Sequence, residues 1–162
     1  MTAAGAVASP GMRPGDTAPD FSLRDQDGGL RSLDELLASG PLVLFFYPAA
    51  FTPVCTAEAC HFRDLAAEFA SVGATRVGIS ADPVDRLASW ATRQAFGFPL
   101  LSDPDGVAAE AYGVRRGLLG RLSPVKRTTF VIDTDRRILD VIASELRASV
   151  HADRALDALR AR

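Results

Sequence analysis

The sequence contains few of the residues from which metal centres and disulfide frameworks are built. Its 162 residues include two cysteines, two histidines and one tryptophan. Two cysteines are too few for a disulfide scaffold or for a zinc site with four cysteine ligands, and such thiols are more often catalytic or simply buried. His61 and His151 lack the spacing of metal ligands, and we expect both to lie at the surface or to have their hydrogen bonds satisfied.

Long apolar runs and clusters of like charge are also missing. Uninterrupted apolar runs reach about six residues, whereas a membrane-spanning helix needs ~20. The 18 basic and 20 acidic residues form no long run of either sign, which disfavours binding to nucleic acid or to an anionic membrane. The first eleven residues lack the basic segment of a signal peptide. We therefore expect a cytoplasmic protein with a mobile tail over residues 1–12 and a single domain over residues 13–162.

The rest of the chain alternates between the periodicities of strands and helices. Strands are expected at residues 20–23, near 30, at 42–46, 76–80, 128–133 and 137–142, with an edge strand at 98–101. Helices are expected after Ser32, from Thr52 to about Ala70, from Asp82 to about Gln94, over 107–112 and at the C-terminus. The first two and the last two strands should each form a hairpin. This order predicts an α/β protein with a thioredoxin-like fold, in which helices flank a central mixed β-sheet.

The most informative stretch is residues 47–60, which contains both cysteines and follows the apolar run at 42–46. Thr52 is a suitable helix N-cap, and Pro53 suits the first helical position. Cys55 then falls in the first turn of the helix, where unpaired backbone N–H groups and the helix dipole favour a thiolate. Because the thiolate is the nucleophilic form of cysteine, Cys55 is the candidate nucleophile.

The run Pro48-Ala49-Ala50-Phe51-Thr52-Pro53-Val54-Cys55 resembles the Pro-x-x-x-Thr-x-x-Cys signature of peroxiredoxins. The flanking segments, 45–48, 58–60 and 62–64, and the downstream run 127–133 are similar to the bacterioferritin-comigratory or Q-type subgroup. The resemblance covers the chain from Gly15 to the C-terminus. It implies a thiol peroxidase with a thioredoxin-like fold that reduces hydrogen peroxide and organic hydroperoxides without a cofactor, metal or haem. The subgroup also implies a monomer.

By this resemblance Cys55 is the peroxidatic cysteine, and Pro48, Thr52 and Arg127 complete its site. The Cys55 thiolate attacks one peroxide oxygen and becomes a sulfenic acid as the O–O bond breaks. Backbone N–H groups, the Thr52 hydroxyl and the Arg127 guanidinium can stabilise the charge that develops, and Pro48 would shield the sulfur from water and excess peroxide. Each of the three taken singly fits a purely structural role. Their occurrence together with Cys55 favours the catalytic interpretation.

Cys60 follows Cys55 by five positions, which in a regular helix separates the two Cα atoms by roughly 8.6 Å. A disulfide requires less than about 7 Å, so an intact helix forbids the bond. We expect Cys60 to be the resolving cysteine: the first helical turns unwind after oxidation, an intramolecular disulfide forms, and a thioredoxin-type reductant reopens it. The alternative is that Cys60 is an inert small hydrophobe.

Several features leave alternatives open. Glu58 could hydrogen-bond Arg127 or lie exposed. Many Q-type sequences have glycine where this chain has Val54, whose bulk bears on substrate size and on unwinding. Residues 116–125 predict a loop that either borders an entrance or interface or folds over the core. The alternative functions are a one-cysteine peroxidase with an external resolving thiol, a non-catalytic thiol redox sensor, and a dithiol oxidoreductase, which the cysteine spacing disfavours.

Overall fold

The computed structural model describes residues 11–116 and 124–162. Its strands are β1 (Ser22–Asp25), β2 (Leu30–Ser32), β3 (Leu42–Phe46), β4 (Thr75–Ser80), β5 (Leu100–Ser102), β6 (Thr128–Ile132) and β7 (Ile138–Ala143). Its helices are α1 (Leu33–Leu37), α2 (Pro53–Asp64), α3 (Ala66–Ser71), α4 (Val84–Gln94), α5 (Val107–Ala111) and α6 (Ala148–Arg160). The strands form one sheet in the order β2-β1-β5-β4-β3-β6-β7. The tail and the loop predicted over 1–12 and 116–125 lie largely outside the described residues.

Strand β3 lies inside the sheet, as its uninterrupted apolar sequence predicts. Every residue of β3 is buried, and the strand pairs in parallel with β4 and antiparallel with β6. Alternate side chains point to opposite faces. Val43 and Phe45 join the core cluster that includes residues of α2, α4 and α6, while Leu42, Leu44 and Phe46 join the cluster that includes residues of α1 and α5. The prediction of a mixed sheet flanked by helices is confirmed.

Both predicted hairpins are present. Strand β1 pairs antiparallel with β2, and β6 pairs antiparallel with β7. Ser32 caps α1 as the sequence predicts, because its Oγ accepts the Glu35 N–H at 3.2 Å. Turn and capping residues in the local sequence therefore predicted these elements correctly.

The prediction of an edge strand at residues 98–101 was wrong. Pro99 favoured an edge, since proline cannot donate a hydrogen bond to a neighbouring strand. Strand β5 instead lies between β1 and β4, and all of its residues are buried. The N-terminal hairpin covers this side of the sheet, with Arg24 opposite Ser102 and Asp25 opposite Leu101.

The long helix predicted from Thr52 to about Ala70 breaks at Leu65 into α2 and α3. Leu65 has φ −92° and ψ 21°, which do not continue an α-helix. Arg76 Nη1 donates to the Phe62 carbonyl at 2.6 Å, so a distant side chain binds the carbonyl that a continuous helix would pair with the N–H four residues later.

None of the helices within the described ranges combines the length and the apolar composition needed to cross a membrane.

The topology brings two distant segments together where β3 ends. Phe46, the last residue of β3, lies opposite Thr128, the first residue of β6. Because the two strands are antiparallel, Arg127 lies beside the start of the loop that leads from β3 to α2. Cys55 is in the first turn of that helix. The sheet register therefore places the arginine and the cysteine at the same edge.

Candidate active site

The loop after β3 leads into α2, which has Thr52 at its N-cap and Pro53 at its first position, as predicted. The Thr52 side chain, however, does not cap the helix. Its Oγ1 donates to the Ala49 carbonyl at 2.7 Å, while the Thr52 backbone carbonyl accepts the Thr56 N–H at 2.9 Å. The hydroxyl therefore stabilises the preceding loop and leaves the first-turn N–H groups without a side-chain cap.

Cys55 lies in a buried position beside Arg127. The cysteine is 1% exposed and the arginine 4% exposed. Arg127 Nη2 donates to Cys55 Sγ at 3.2 Å, which is a short contact for a nitrogen and a sulfur. A guanidinium remains charged at any physiological pH, so the Cys55 sulfur faces a permanent cation.

Arg127 is held by further hydrogen bonds on two sides. Its Nη1 donates to Glu58 Oε2 at 3.1 Å, and its Nε donates to the Glu145 carbonyl at 3.1 Å. The Glu145 side chain accepts from the Arg127 backbone N–H at 3.2 Å and from Arg116 Nη2 at 2.6 Å. Burial alone lowers the pKa of Arg127, but Glu58 and Cys55 together raise it. The guanidinium is a fixed cation whose orientation is determined on every nitrogen.

Glu58 is fully buried one turn after Cys55, so the exposed alternative for this residue was wrong. Burial raises the pKa of Glu58 to about 8, because loss of hydration outweighs the attraction of Arg127. Its Oε2 accepts from Arg127, while its Oε1 has no hydrogen-bond partner among the described residues. The buried carboxyl therefore binds a proton more readily than an exposed glutamate does.

His151 packs against the same cluster from α6. The Ser144 carbonyl lies 2.8 Å from Nε2 and can only accept, so Nε2 carries the proton and Nδ1 accepts from Thr129 Oγ1 at 2.8 Å. Nε2 is also 3.8 Å from Glu58 Oε2. Burial lowers the pKa of His151, which keeps the ring neutral. Its place on the apolar stripe of α6, directly before Ala152, is the sequence signal that identifies it as buried rather than exposed.

His61 lies at the surface instead, with Nε2 2.8 Å from Asp153 Oδ1. Both histidines thus have partners, as expected. Within residues 11–116 and 124–162, no three His, Cys, Asp or Glu side chains are grouped so that they could hold a metal ion.

Cys60 is on the same helix as Cys55, and both thiols are free. Because α2 runs unbroken from Pro53 to Asp64, helical geometry keeps the two Cα atoms roughly 8.6 Å apart. The Cys60 thiol donates to Gln94 Oε1 at 3.5 Å. The residue also borders an open groove of about 510 Å³, lined further by Ala57, His61, Asp64, Leu146, Arg147, Ala148 and Ser149. Cys60 is therefore close to solvent while Cys55 is not.

The chain is similar to known proteins. The sequence matches the AhpC/TSA family over residues 14–141. The chain belongs to this family. It is 37% identical to peroxiredoxin Bcp of Escherichia coli over 152 residues, or 92% of this chain and 96% of that protein. The resemblance to peroxiredoxins of the bacterioferritin-comigratory or Q type is confirmed.

Two solved peroxiredoxin structures are similar to this one. The peroxidoxin BcpB of Mycobacterium tuberculosis matches with a TM-score of 0.89 at 63% identity, covering 93% of this chain and 97% of that one. The bacterioferritin comigratory protein of Xanthomonas campestris matches with a TM-score of 0.79 at 30% identity, covering 93% of this chain and 96% of that one. The prediction of a thioredoxin-like fold is confirmed, and family membership establishes a thiol-dependent peroxidase as the class of enzyme.

The peroxiredoxin motif residues make different contacts. Arg127 contacts Cys55 directly. Thr52 starts the helix but turns its hydroxyl toward Ala49, and Pro48 is partly buried at the start of the loop. Cys60 remains on the intact helix. Sequence reasoning missed Glu145, because its distance from the motif along the chain gives no local signal of the contact with Arg127.

Proposed function

We propose that this peroxiredoxin reduces hydrogen peroxide and organic hydroperoxides through a sulfenic acid on Cys55. The observation that carries the proposal is the 3.2 Å contact between Arg127 Nη2 and the buried Cys55 Sγ. A fixed cation beside the sulfur stabilises the thiolate, and the same guanidinium can stabilise negative charge on the departing oxygen.

The first step needs the Cys55 thiolate, the hydroperoxide and one proton from solvent. The Cys55 thiolate attacks one peroxide oxygen, so an S–O bond forms while the O–O bond breaks. The electron pair of the O–O bond leaves with the second oxygen, which takes up a proton and departs as water or an alcohol. Sulfur is oxidised to the sulfenic acid and the peroxide is reduced.

Thr52 and Pro48 have supporting roles in this proposal. Because the Thr52 hydroxyl proton is used by the Ala49 carbonyl at 2.7 Å, its oxygen can accept a hydrogen bond from the hydroperoxide O–H. Pro48 has no N–H and a fixed φ, so it can wall the sulfur off from water without leaving a donor unpaired. Both residues would orient the peroxide rather than exchange protons with it.

Cys60 would then resolve the sulfenic acid. The Cys60 sulfur attacks the Cys55 sulfur, so an S–S bond forms while the S–O bond breaks, and the hydroxyl leaves as water with the proton of the Cys60 thiol. The helical separation requires the turn between the two cysteines to open first. The open groove beside Cys60 supports access by a thioredoxin-type protein, whose dithiol would reduce the disulfide and become oxidised in turn.

One relative suggests the class of substrate. The structure of the Xanthomonas campestris relative is described in connection with alkyl peroxide reduction, and we extend organic hydroperoxides to this chain on that ground. We further propose that the protein acts as a monomer in the cytoplasm, where thiol reductants are abundant.

The test is stopped-flow oxidation of the wild type and of single cysteine variants. We expect Cys55→Ser to abolish peroxide consumption. Cys60→Ser should undergo the first oxidation at a rate within about twofold of wild type, then stop as a sulfenic acid that only an added thiol can reduce. Peroxide consumption by Cys55→Ser at the wild-type rate would contradict the proposal.

One observation favours a second candidate, a one-cysteine peroxidase with an external resolving thiol. The α2 helix is intact and the Cys60 thiol already has a partner in Gln94, so Cys60 is not free to move without breaking that bond. The discriminating result is peptide mapping after one equivalent of peroxide. A Cys55–Cys60 disulfide supports internal resolution, whereas a persistent sulfenic acid supports the external thiol.

A further inference from the structure

The loop between β3 and α2 contains one residue in an unusual backbone conformation. Phe51 has φ +68°, a value in the left-handed region that residues with a Cβ rarely adopt. Thr52 follows it at once with φ −79° and ψ 151° and starts α2. The conformation of Phe51 therefore sets the direction in which the helix carrying Cys55 leaves the sheet. Something must hold this residue in place.

The carboxylate of Asp82, which lies between β4 and α4, binds the residue before it. Asp82 Oδ2 accepts the Ala50 N–H at 2.8 Å and the Ser80 hydroxyl at 2.7 Å. Its Oδ1 forms an ion pair with Arg86 Nε at 3.2 Å. The Asp82 carbonyl accepts from Ser102 Oγ at 2.6 Å, so the aspartate is itself fixed to the sheet.

Arg86, in the first turn of α4, completes the contact from the other side. Its Nη2 donates to the Ala50 carbonyl at 3.3 Å. Its guanidinium carbon lies 5.0 Å from the centre of the Phe51 ring, a cation–π distance. Both backbone polar groups of Ala50 and the Phe51 ring are thus held by one acidic and one basic side chain.

We propose that Asp82 and Arg86 are positioning residues that clamp the Ala50–Phe51 segment in its strained conformation, so that Cys55 meets the peroxide in reactive geometry. Neither residue touches Cys55 in the described structure, so both act through the loop. The effect on rate rests on the proposed peroxidase function, but the clamp itself is a property of the loop and has its own readout. Loss of the clamp should therefore affect two reactions of Cys55 differently. Attack on a peroxide needs aligned atoms, whereas alkylation by a small reagent needs only an accessible thiolate.

The test compares Asp82→Ala with Asp85→Ala, a matched change at an exposed position three residues later, in the first turn of α4. We expect Asp82→Ala to lower the rate of Cys55 oxidation by peroxide about 10- to 100-fold. The rate of Cys55 alkylation by iodoacetamide should change by less than about threefold. Asp85→Ala should change neither. Equal losses in both reactions, or a peroxide rate that Asp82→Ala leaves unchanged, would overturn the proposal.

Two further measurements keep the result interpretable. Hydrogen exchange at the Ala50 amide should accelerate at least about tenfold in Asp82→Ala, and unchanged exchange would overturn the clamp whether or not the wild type consumes peroxide. If wild type itself does not react with peroxide, the peroxidase proposal fails while this exchange result still decides the clamp. If Asp82→Ala does not fold, Arg86→Ala replaces it, because that side chain is about half exposed.

Glycine at position 51 provides a second check. Glycine adopts positive φ without strain, so in a Phe51→Gly background the loop needs the clamp less. The loss caused by Asp82→Ala should therefore shrink to less than about fivefold in that background. A loss of the same size in both backgrounds would mean that Asp82 does not act through the strained residue.

Discussion

The two halves of α2 are anchored to the rest of the protein in different ways. In the C-terminal half, Arg63 Nη1 donates to the Gln94 carbonyl at 2.6 Å, and the Phe62 carbonyl accepts from Arg76 at 2.6 Å. In the N-terminal half, the side-chain hydrogen bonds that the described residues show are those of Cys55 and Glu58, and both lead to Arg127. Both side-chain hydrogen bonds of the reactive end of the helix therefore lead to one cation.

This difference bears on a conflict in the proposed mechanism. The start of α2 must be helical to place Cys55 against Arg127, and it must open to let Cys60 approach. Oxidation converts the thiolate into a neutral sulfenic acid, which weakens the bond to Arg127. The end of the helix that loses its anchor is then the end that has to unwind, while the C-terminal half stays fixed.

The largest expected effect comes from removing the shared cation. We predict that Arg127→Ala lowers the rate of Cys55 oxidation about 10²- to 10³-fold, the usual effect of losing one donor to developing negative charge. Fluorescence of the single tryptophan, Trp90, can follow the reaction. Its ring in α4 lies 6.3 Å from the ring of Phe51, in the loop that precedes Cys55. The control is the double variant with Glu58→Gln, which leaves no unpaired buried carboxyl. Recovery of the wild-type rate in that double variant would contradict a direct role of Arg127.

The next effect concerns Glu58 and the pH dependence of stability. Its pKa is raised to about 8 in the folded protein, so between its ordinary value and that pH the folded state keeps a proton that the unfolded state releases. The free energy of unfolding should therefore fall as pH rises from about 5 to about 8, by up to about 1.4 kcal/mol per pH unit from this group.

Chemical denaturation at several pH values tests this prediction. Glu58→Gln has no such proton, so its stability relative to wild type should rise across the same range. Glu35→Gln, an exposed change on α1, is the matched control and should show no such trend. A constant difference between wild type and Glu58→Gln would contradict the buried, protonated carboxyl.

A smaller effect should come from loosening the N-terminal half of α2. Ala57 is exposed, and glycine costs a helix interior about 1 kcal/mol relative to alanine. We predict that Ala57→Gly speeds disulfide formation about fivefold while the first oxidation stays within about twofold of wild type. Ala67→Gly, at an exposed position of α3, removes the same group outside the opening segment and should leave both rates unchanged. A slower disulfide step in Ala57→Gly would contradict opening at this end.

The smallest kinetic effect is expected in the anchored half. Arg63→Ala removes the bond to the Gln94 carbonyl and should lower the free energy of unfolding by about 1–2 kcal/mol. The rate of disulfide formation should change by less than about twofold, since this half does not need to move. A disulfide rate that rises as strongly as in Ala57→Gly would show that the whole helix opens.

The parts that the sequence predicted correctly are those that local chemistry determines. The apolar run of β3, the Ser32 cap and the Thr52–Pro53 helix start all follow from neighbouring residues. The break at Leu65 and the inner position of β5 do not, because an arginine and a hairpin distant in sequence cause them. The same holds in the site. The motif identified Cys55 and Arg127, but the burial of Glu58 depends on Arg127, directly before β6, and on His151 of α6.

The most direct test of the account is hydrogen exchange along α2 after one equivalent of peroxide, read together with the cysteine linkage. We predict a Cys55–Cys60 disulfide, with exchange protection lost over residues 56–60 and kept over residues 61–64. A sulfenic acid that persists on a fully protected helix, or protection lost evenly over the whole of α2, would contradict the claim that the helix is anchored at one end and opens at the other.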